Sequence, residues 1–336
     1  MLICFYETRK ISFYLYLYKK VLFNLEKKYE IFLDKIKCLD VLILTKEPMK
    51  NHTTFKIGGS VDFFVTVNTL KSLIEFLKII KKLEIPYYVL GNGSNILVSD
   101  EGLRGVVIKL GKEFKNIEIL DSLPPLSSDV LIKCGSAVLN SSLCLFAKNN
   151  GLSGLEFLYG IPGTVGGAVY MNAGAYLSEI KNVILYSECV SKENKILKLY
   201  KDDMQLRYRS SIYHQTKNII VSAVFKLKKS DPKTVENTMK SCFFKRKSSQ
   251  PLNFPNAGSI FKKTKNSNYS AGALIDSLGL KGTSVGDAVV SFKHAGFIVN
   301  KGNAKCTDVL KLISLIKNNV KENYKTNLET EIEIWN

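Results

Sequence analysis

Two glycine-rich stretches carry the strongest chemical signal in this 336-residue sequence. The first runs from Gly151 to Ala175, GLSGLEFLYGIPGTVGGAVYMNAGA, and holds seven of the 22 glycines. Gly160, Gly163, Gly166, Gly167 and Gly174 alternate there with apolar residues, whereas a flexible linker would be polar. Glycine lets backbone approach a ligand closely and lets successive N–H groups converge on an anion. Pro162 stiffens the approach. The physical reading is a buried, ordered backbone cradle for a large phosphate-bearing cofactor; tight turns packed on a sheet without a ligand are the alternative. The second stretch is LGNGSN, residues 90–95. It has G-x-G but no third glycine, and the strand-like ILVS follows it, so it fails the Rossmann test, which needs a helix start under the pyrophosphate. A strand–turn–strand rich in Gly, Asn and Ser still forms an anion nest. Two such nests favour a dinucleotide bound without a Rossmann fold.

Three further segments are dispersed and individually bland. Tyr208-Arg209-Ser210-Ser211 follows a polar stretch, Asn256 to Lys262 (NAGSIFK) follows a proline-bearing loop, and Leu328 to Ile334 alternates Glu with other residues. Taken alone, Arg209 is a surface cation, Ser259 a turn hydroxyl and Glu331 a solvent-facing strand residue. Arginine is scarce, however: only five of the 48 basic residues are Arg, and Arg207, Arg209 and Arg246 fall close together. Where Arg persists in so lysine-rich a chain, its planar fork is the feature Lys does not supply.

The elements that would position these groups are mixed. Residues 19–38 repeat Leu22, Leu25, Tyr29, Phe32 and Ile36 at helical steps. Ile11 to Tyr18 is an apolar run of eight without a cleavage signature, and residues 1–18 read as an over-extended start or an arm. Strands are expected at 63–67, 87–90, 96–98, 106–108, 131–134, 183–190, 219–227 and in 328–335. Helices are expected from Leu70 with Asn68 or Thr69 as cap, around 143–147 closed by Gly151, from Asp231 to about 246, and around 309–316. Pro and Ser make 120–130 a loop. Without strict βα alternation the class is α+β. The expected organisation is an N-terminal extension and helix (1–38), a two-lobed unit (39–230, dividing near 115), and a smaller C-terminal unit (231–336).

Composition narrows the function. At 46% hydrophobic residues the chain can bury a core, and no apolar run reaches the roughly 18 residues of a membrane span. Seven scattered cysteines form no CxxC pair, so no disulfide framework or metal site is expected, only reduced thiols. The net charge of +18 rests on Lys, not on the Arg that nucleic-acid readers favour. No nucleic-acid partner is expected; the lysines can steer a polyanionic small substrate.

Together the segments NHTTFKIGG (51–59), LGNGSNILVSDEGLRGVVIKL (90–110), GLSGLEFLYGIPGTVGGAVYMNAGAY (151–176), YRSS (208–211), NAGSIFK (256–262) and HAGFIVN (294–300) resemble the UDP-N-acetylenolpyruvoylglucosamine reductase (MurB) family. The likeness covers roughly Asn51 to Trp335 and is closest to the shorter subclass, which lacks an extra tyrosine-bearing loop. It implies an FAD-binding domain of the vanillyl-alcohol-oxidase (PCMH) type followed by a smaller α+β substrate-binding domain. It implies FAD and NADPH as cofactors, a UDP-sugar enolpyruvyl ether as substrate, and a cytoplasmic monomer of peptidoglycan synthesis, hence of cell-wall biogenesis, cell shape and division. The cofactor residues carried over are Gly91, Asn92, Gly93, Ser94 and Asn95 in the first nest. In the second they are Gly154, Ile161, Pro162, Gly163, Val165, Gly166, Gly167, Ala168, Asn172, Gly174 and Ala175. Arg209 and Glu331 match positions that stabilise the substrate's enolate, and Ser259 matches the proton donor to C2, its hydroxyl polarised by a neighbour such as Lys262. Arg246, Lys262 and His294 match substrate contacts. The sequence departs from the family at Lys263, where an Asn is usual, at Thr330, where LEPE has proline, and at Phe292, where an acid is common. Two other functions remain open: a sugar or lactone oxidase of the same fold, although none of His52, His214 and His294 lies in a glycine nest to carry covalent flavin, and a basic nucleic-acid binder.

Overall fold

The computed structural model describes residues 27–120, 129–176, 178–264 and 269–336. The Ile11–Tyr18 run, the start of the 19–38 helix and most of the 120–130 loop lie outside them. A helix over 27–36 opens the described chain. Its Phe32 and Ile36 are fully buried against Phe63 and Phe76, and the Tyr29 hydroxyl donates to Asp62 at 2.6 Å.

The first lobe is a four-stranded sheet in the order Val41–Pro48, Ser60–Val67, Leu103–Leu110, Tyr87–Leu90. The first pair is antiparallel and the others parallel. Helix Leu70–Lys82 crosses between parallel strands, and its Thr69 cap accepts from Ser72 N–H, as the sequence suggests. The second lobe is an antiparallel sheet running Ile196–Tyr200, Ile184–Val190, Ile219–Lys229, Asp129–Gly135, Ile117–Leu120. Helices Asn140–Asn149, Val165–Tyr170 and Pro232–Ser249 cover it. Asp231 caps the last of these by accepting from Thr234 N–H. Its Val235 and Met239 join the second lobe's core, and its Lys247 O accepts from Lys293 Nζ of the C-terminal unit at 2.6 Å.

The C-terminal unit is an antiparallel sheet, Asn256–Ser259, Phe297–Asn300, Ala288–Val290, Ser284–Val285, under helices Ala271–Ser277 and Cys306–Tyr324. Asp100 of the first lobe accepts from the N–H groups of Cys306 and Thr307 at 2.7 and 2.9 Å, capping the long helix across the junction. The chain then doubles back. Phe261 bridges Thr330, and Glu333–Trp335 pairs in parallel with Ile96–Val98 of the first lobe. The strand expected over 328–335 is therefore a three-residue strand preceded by a single bridge, because residues 330 and 333 pair with different parts of the molecule. The architecture is α+β, as the sequence implies.

Candidate functional site

A cleft of about 1600 Å³ opens where the two lobes and the C-terminal unit meet. Gly91, Asn92, Gly93, Ser94 and Asn95 form one wall; Ile161, Pro162, Gly163, Gly166, Gly167, Ala168, Gly174 and Ala175 form another. The two glycine stretches touch. Ser94 Oγ donates to Pro162 O at 2.7 Å, and a Cβ on Gly91 would sit 2.7 Å from Thr164 Oγ1.

The two stretches use glycine differently. Among the described residues no backbone acceptor receives the amides of Asn92, Gly93, Ser94 or Asn95. Gly93 has φ +63°, and a Cβ there would lie 2.1 Å from His52 O, so the turn can lie this close to His52–Thr53 only without a side chain. In the second stretch the amides are engaged: Val165 N–H donates to Val138 O, Gly166 N–H to Ser136 O and Ala168 N–H to Thr164 O. Gly167 N–H points at Thr164 Oγ1, which caps the short helix Val165–Tyr170. The anion-nest reading therefore fits 92–95. Around 165–168 the amides have partners within the protein, and Gly166 is pressed on Ser136.

Three predicted cofactor residues do not line the cleft. Gly154 packs beside Leu227 and Val183, and its N–H is taken by Glu156 Oε2 at 2.8 Å. Val165 is a fully buried core residue. Asn172 is fully buried as well: its amide donates to Arg207 O and Glu179 Oε2, both at 3.0 Å, while its oxygen accepts from Lys181 N–H. Asn172 thus braces the turn that carries Arg209.

Arg207 and Ser210 exchange backbone hydrogen bonds, leaving Tyr208 and Arg209 at the tip. Arg209 has φ +51°, a left-handed conformation that costs an L-residue about 1–2 kcal/mol. This conformation accompanies an aimed side chain: Nε contacts Glu331 Oε1 at 2.6 Å and Nη2 donates to Gly174 O at 3.0 Å. Glu331 N–H donates to Ile260 O at 2.8 Å, and Lys262 N–H to Glu329 O at 2.9 Å. The acid is thereby zipped to the segment carrying Ser259. Burial pushes the Glu331 carboxyl above the ordinary range, opposed by the positive charges of Arg209 and Lys262.

Ser259 lines the same cleft. Its hydroxyl donates to Phe261 O at 3.0 Å, so a rotation about Cα–Cβ must precede any proton delivery elsewhere. Lys262 Nζ faces Glu329 Oε2 at 3.7 Å. Arg246 is buried; Nη1 donates to Gln250 Oε1, while Nε has no partner. The His294 ring is held between Gly272 and Gly296, and Nδ1 accepts from Gly296 N–H at 3.1 Å. Burial pulls its pKa down, so the ring is neutral with its proton on Nε2. Arg246, Lys262 and His294 all line the cleft.

Sequence reasoning missed several cleft residues. Ser136 and Asn140 line it, and Ser136 Oγ, Asn140 Oδ1 and Arg246 Nε are the buried side-chain atoms without a partner among the described residues. Three orphaned polar atoms in one cleft, beside a turn of unengaged amides, fit a polar, phosphate-bearing occupant. Glu333 also lines the cleft, 3.7 Å from His214 Nε2, whose ring packs on Tyr170. The two-residue spacing of Glu331 and Glu333 was the available signal, since alternate strand residues share a face. No group of metal-ligating side chains occurs among the described residues, and none of their helices is long and apolar enough to cross a membrane.

Residues 61–200 match the family model described as FAD binding domain, and residues 250–335 match that described as UDP-N-acetylenolpyruvoylglucosamine reductase, C-terminal domain. The UDP-N-acetylenolpyruvoylglucosamine reductase of Clostridium novyi is 42% identical over 311 residues, covering 93% of this chain and 96% of that protein. That of Pseudothermotoga lettingae is 44% identical over 291 residues, covering 86% and 96%. Among solved structures, the enzyme of the same name from Thermus caldophilus is 35% identical with a TM-score of 0.72, covering 88% of this chain and 99% of that one. With two family models in the expected order and relatives matched over nearly their whole length, the chain belongs to the UDP-N-acetylenolpyruvoylglucosamine reductase family.

Proposed function

We propose that this protein reduces the enolpyruvyl group of UDP-N-acetylglucosamine enolpyruvate to give UDP-N-acetylmuramate, using NADPH and FAD, and so serves peptidoglycan synthesis. One observation carries the reading: Arg209 and Glu331 meet at 2.6 Å in the same cleft as Ser259 and the turn of unengaged amides. Bound in this cleft, FAD would supply the hydride-transfer chemistry between NADPH and C3 of the enol ether. The turn 92–95 would hold the cofactor's diphosphate by its amides, and Ser136, Asn140 and Gly163–Ala168 would bound the rest. Charge developing at C2 spreads into the substrate carboxylate. Arg209 would stabilise that carboxylate, and Glu331, its pKa raised by burial against the opposing charges of Arg209 and Lys262, would donate a hydrogen bond to it in its protonated form; both act more strongly on the transition state than on the ground state. Ser259, rotated away from Phe261 O, would deliver the proton to C2, a carbon basic enough to take it from a hydroxyl. Arg246, Lys262 and neutral His294 would contact the sugar nucleotide.

We further place the unit boundary after helix Pro232–Ser249, and assign the protein to the cytoplasm as a monomer, where NADPH and UDP-sugars are found. The test is spectroscopic. Purified protein loaded with FAD is yellow, bleaches on adding NADPH and recovers when the enolpyruvyl sugar nucleotide follows. Protein that binds FAD but stays oxidised with NADPH, or that stays reduced after the sugar nucleotide is added, sinks the assignment.

A further inference from the structure

The turn of unengaged amides and the acid that faces the substrate belong to different units, yet one side chain joins them. Asn95 closes the turn. Its main-chain oxygen accepts from Glu333 N–H at 2.9 Å, and its side-chain amide donates to Glu331 O at 3.2 Å. The pairing continues residue by residue as Glu333 with Ile96, Ile334 with Leu97 and Trp335 with Val98, and ends with Ser99 N–H on Trp335 O. Asn95 thus grips the returning strand on both sides of Ile332, where that strand leaves the C-terminal unit.

The grip matters because Glu331 lines the cleft while its neighbour Ile332 is buried in the C-terminal core. A slip of one residue in the pairing of Glu333–Trp335 with Ile96–Val98 would draw Glu331 out of its place beside Arg209. The hydrogen bonds around Asn95 oppose that slip, while Arg209 and Ile260 O hold Glu331 from its other sides. Only an uncharged side chain with an N–H donor of this length meets a carbonyl here; Asp would set a carboxylate against it, and Ser falls short.

We propose that Asn95, predicted from the sequence as a cofactor contact, is a positioning residue for Glu331. Its side chain transmits the geometry of the cofactor turn to the acid strand, so that ordering the turn orders the acid. The kinetic part of this inference rests on the proposed reaction; the structural part does not.

Two measurements test it. In hydrogen exchange followed by mass spectrometry, FAD loading protects peptides spanning 329–336 in the unaltered protein, and in Asn95→Ala held at saturating FAD, with occupancy read from flavin absorbance, that added protection is lost. In stopped flow, Asn95→Ala slows reoxidation of the reduced enzyme by the sugar nucleotide about tenfold, the scale of one lost hydrogen bond at a site that must stay aligned. In a Glu331→Gln background the same substitution adds no further loss. Asn95→Asp supplies a second variant of native shape: lowering the pH protonates the introduced carboxyl, restores a donor and recovers the rate, which a merely misfolded protein would not do. Losses that multiply in the double variant, or 329–336 peptides indifferent to FAD loading, overturn the proposal. An unaltered protein that NADPH fails to bleach would instead indict the assigned reaction, and the exchange result would still stand on its own.

Discussion

Replacing Gly93 by Ala tests whether the cofactor turn depends on an absent side chain. Its φ of +63° costs an L-residue about 1–2 kcal/mol. The added Cβ would sit 2.1 Å from His52 O and 2.9 Å from Thr53 Cα, both backbone atoms that cannot swing aside. Forcing a methyl into such a contact adds about 1–3 kcal/mol. The sum is about 2–5 kcal/mol, against a total stability of about 5–15 kcal/mol. Gly279 supplies the control. It has φ +67° but nothing within 4 Å of its would-be Cβ, so Gly279→Ala carries the conformational cost alone. Urea unfolding of the two variants should differ by the clash, about 1–3 kcal/mol. An FAD titration should show affinity lost by at least about tenfold in Gly93→Ala only, equivalent to 1.4 kcal/mol. Equal destabilisation of both variants with unchanged FAD binding would refute the close-approach argument.

Three other expectations follow from the same geometry. Ser259→Ala should leave flavin bleaching by NADPH intact and slow reoxidation by the sugar nucleotide by about 10²-fold or more; equal loss in both steps removes Ser259 as proton donor. Burial raises the Glu331 pKa, so the folded state holds its proton longer than the unfolded chain does; the stability of the unaltered protein relative to Glu331→Gln should fall as pH rises from the ordinary glutamate value through the raised one, and reoxidation should slow over the same window, whereas a flat or rising difference contradicts the burial argument. Asp100→Ala uncaps helix Cys306–Tyr324 and should cost about 1 kcal/mol in chemical denaturation, with Asp100→Asn losing less because one acceptor remains.

The sequence exposed the site unevenly. Glycine set among apolar residues marked one cleft wall and a Gly-, Asn- and Ser-rich turn the other, and Thr69 and Asp231 act as caps where local chemistry placed helix starts. Arg209, Ser259 and Glu331 were different. Nothing local distinguishes them, and only the family resemblance picked them out, because Arg209 and Glu331, whose side chains meet, lie 122 residues apart in the chain. The second glycine stretch shows how a correct segment can hide a mixed role: cleft wall at Gly163 and Gly174, core at Val165, brace at Asn172. The strand Val41–Pro48 went unrecognised because much of it is exposed, so its residues do not follow a buried alternation. The left-handed φ of Arg209 had no sequence marker at all, since the residue types that usually signal it are Gly and Asn.

The strand that returns beside Ile96 also sets a schedule. Asn95 emerges from the ribosome 236 residues ahead of its partner Glu331. At about 5–20 residues per second, the first lobe therefore waits some tens of seconds with the Ile96–Val98 edge uncovered. In that interval the nascent chain presents an open ladder of apolar strand, the kind of surface on which chaperones act and aggregates nucleate. A prematurely terminated product would keep that edge bare, which makes such fragments natural substrates for proteolytic clearance.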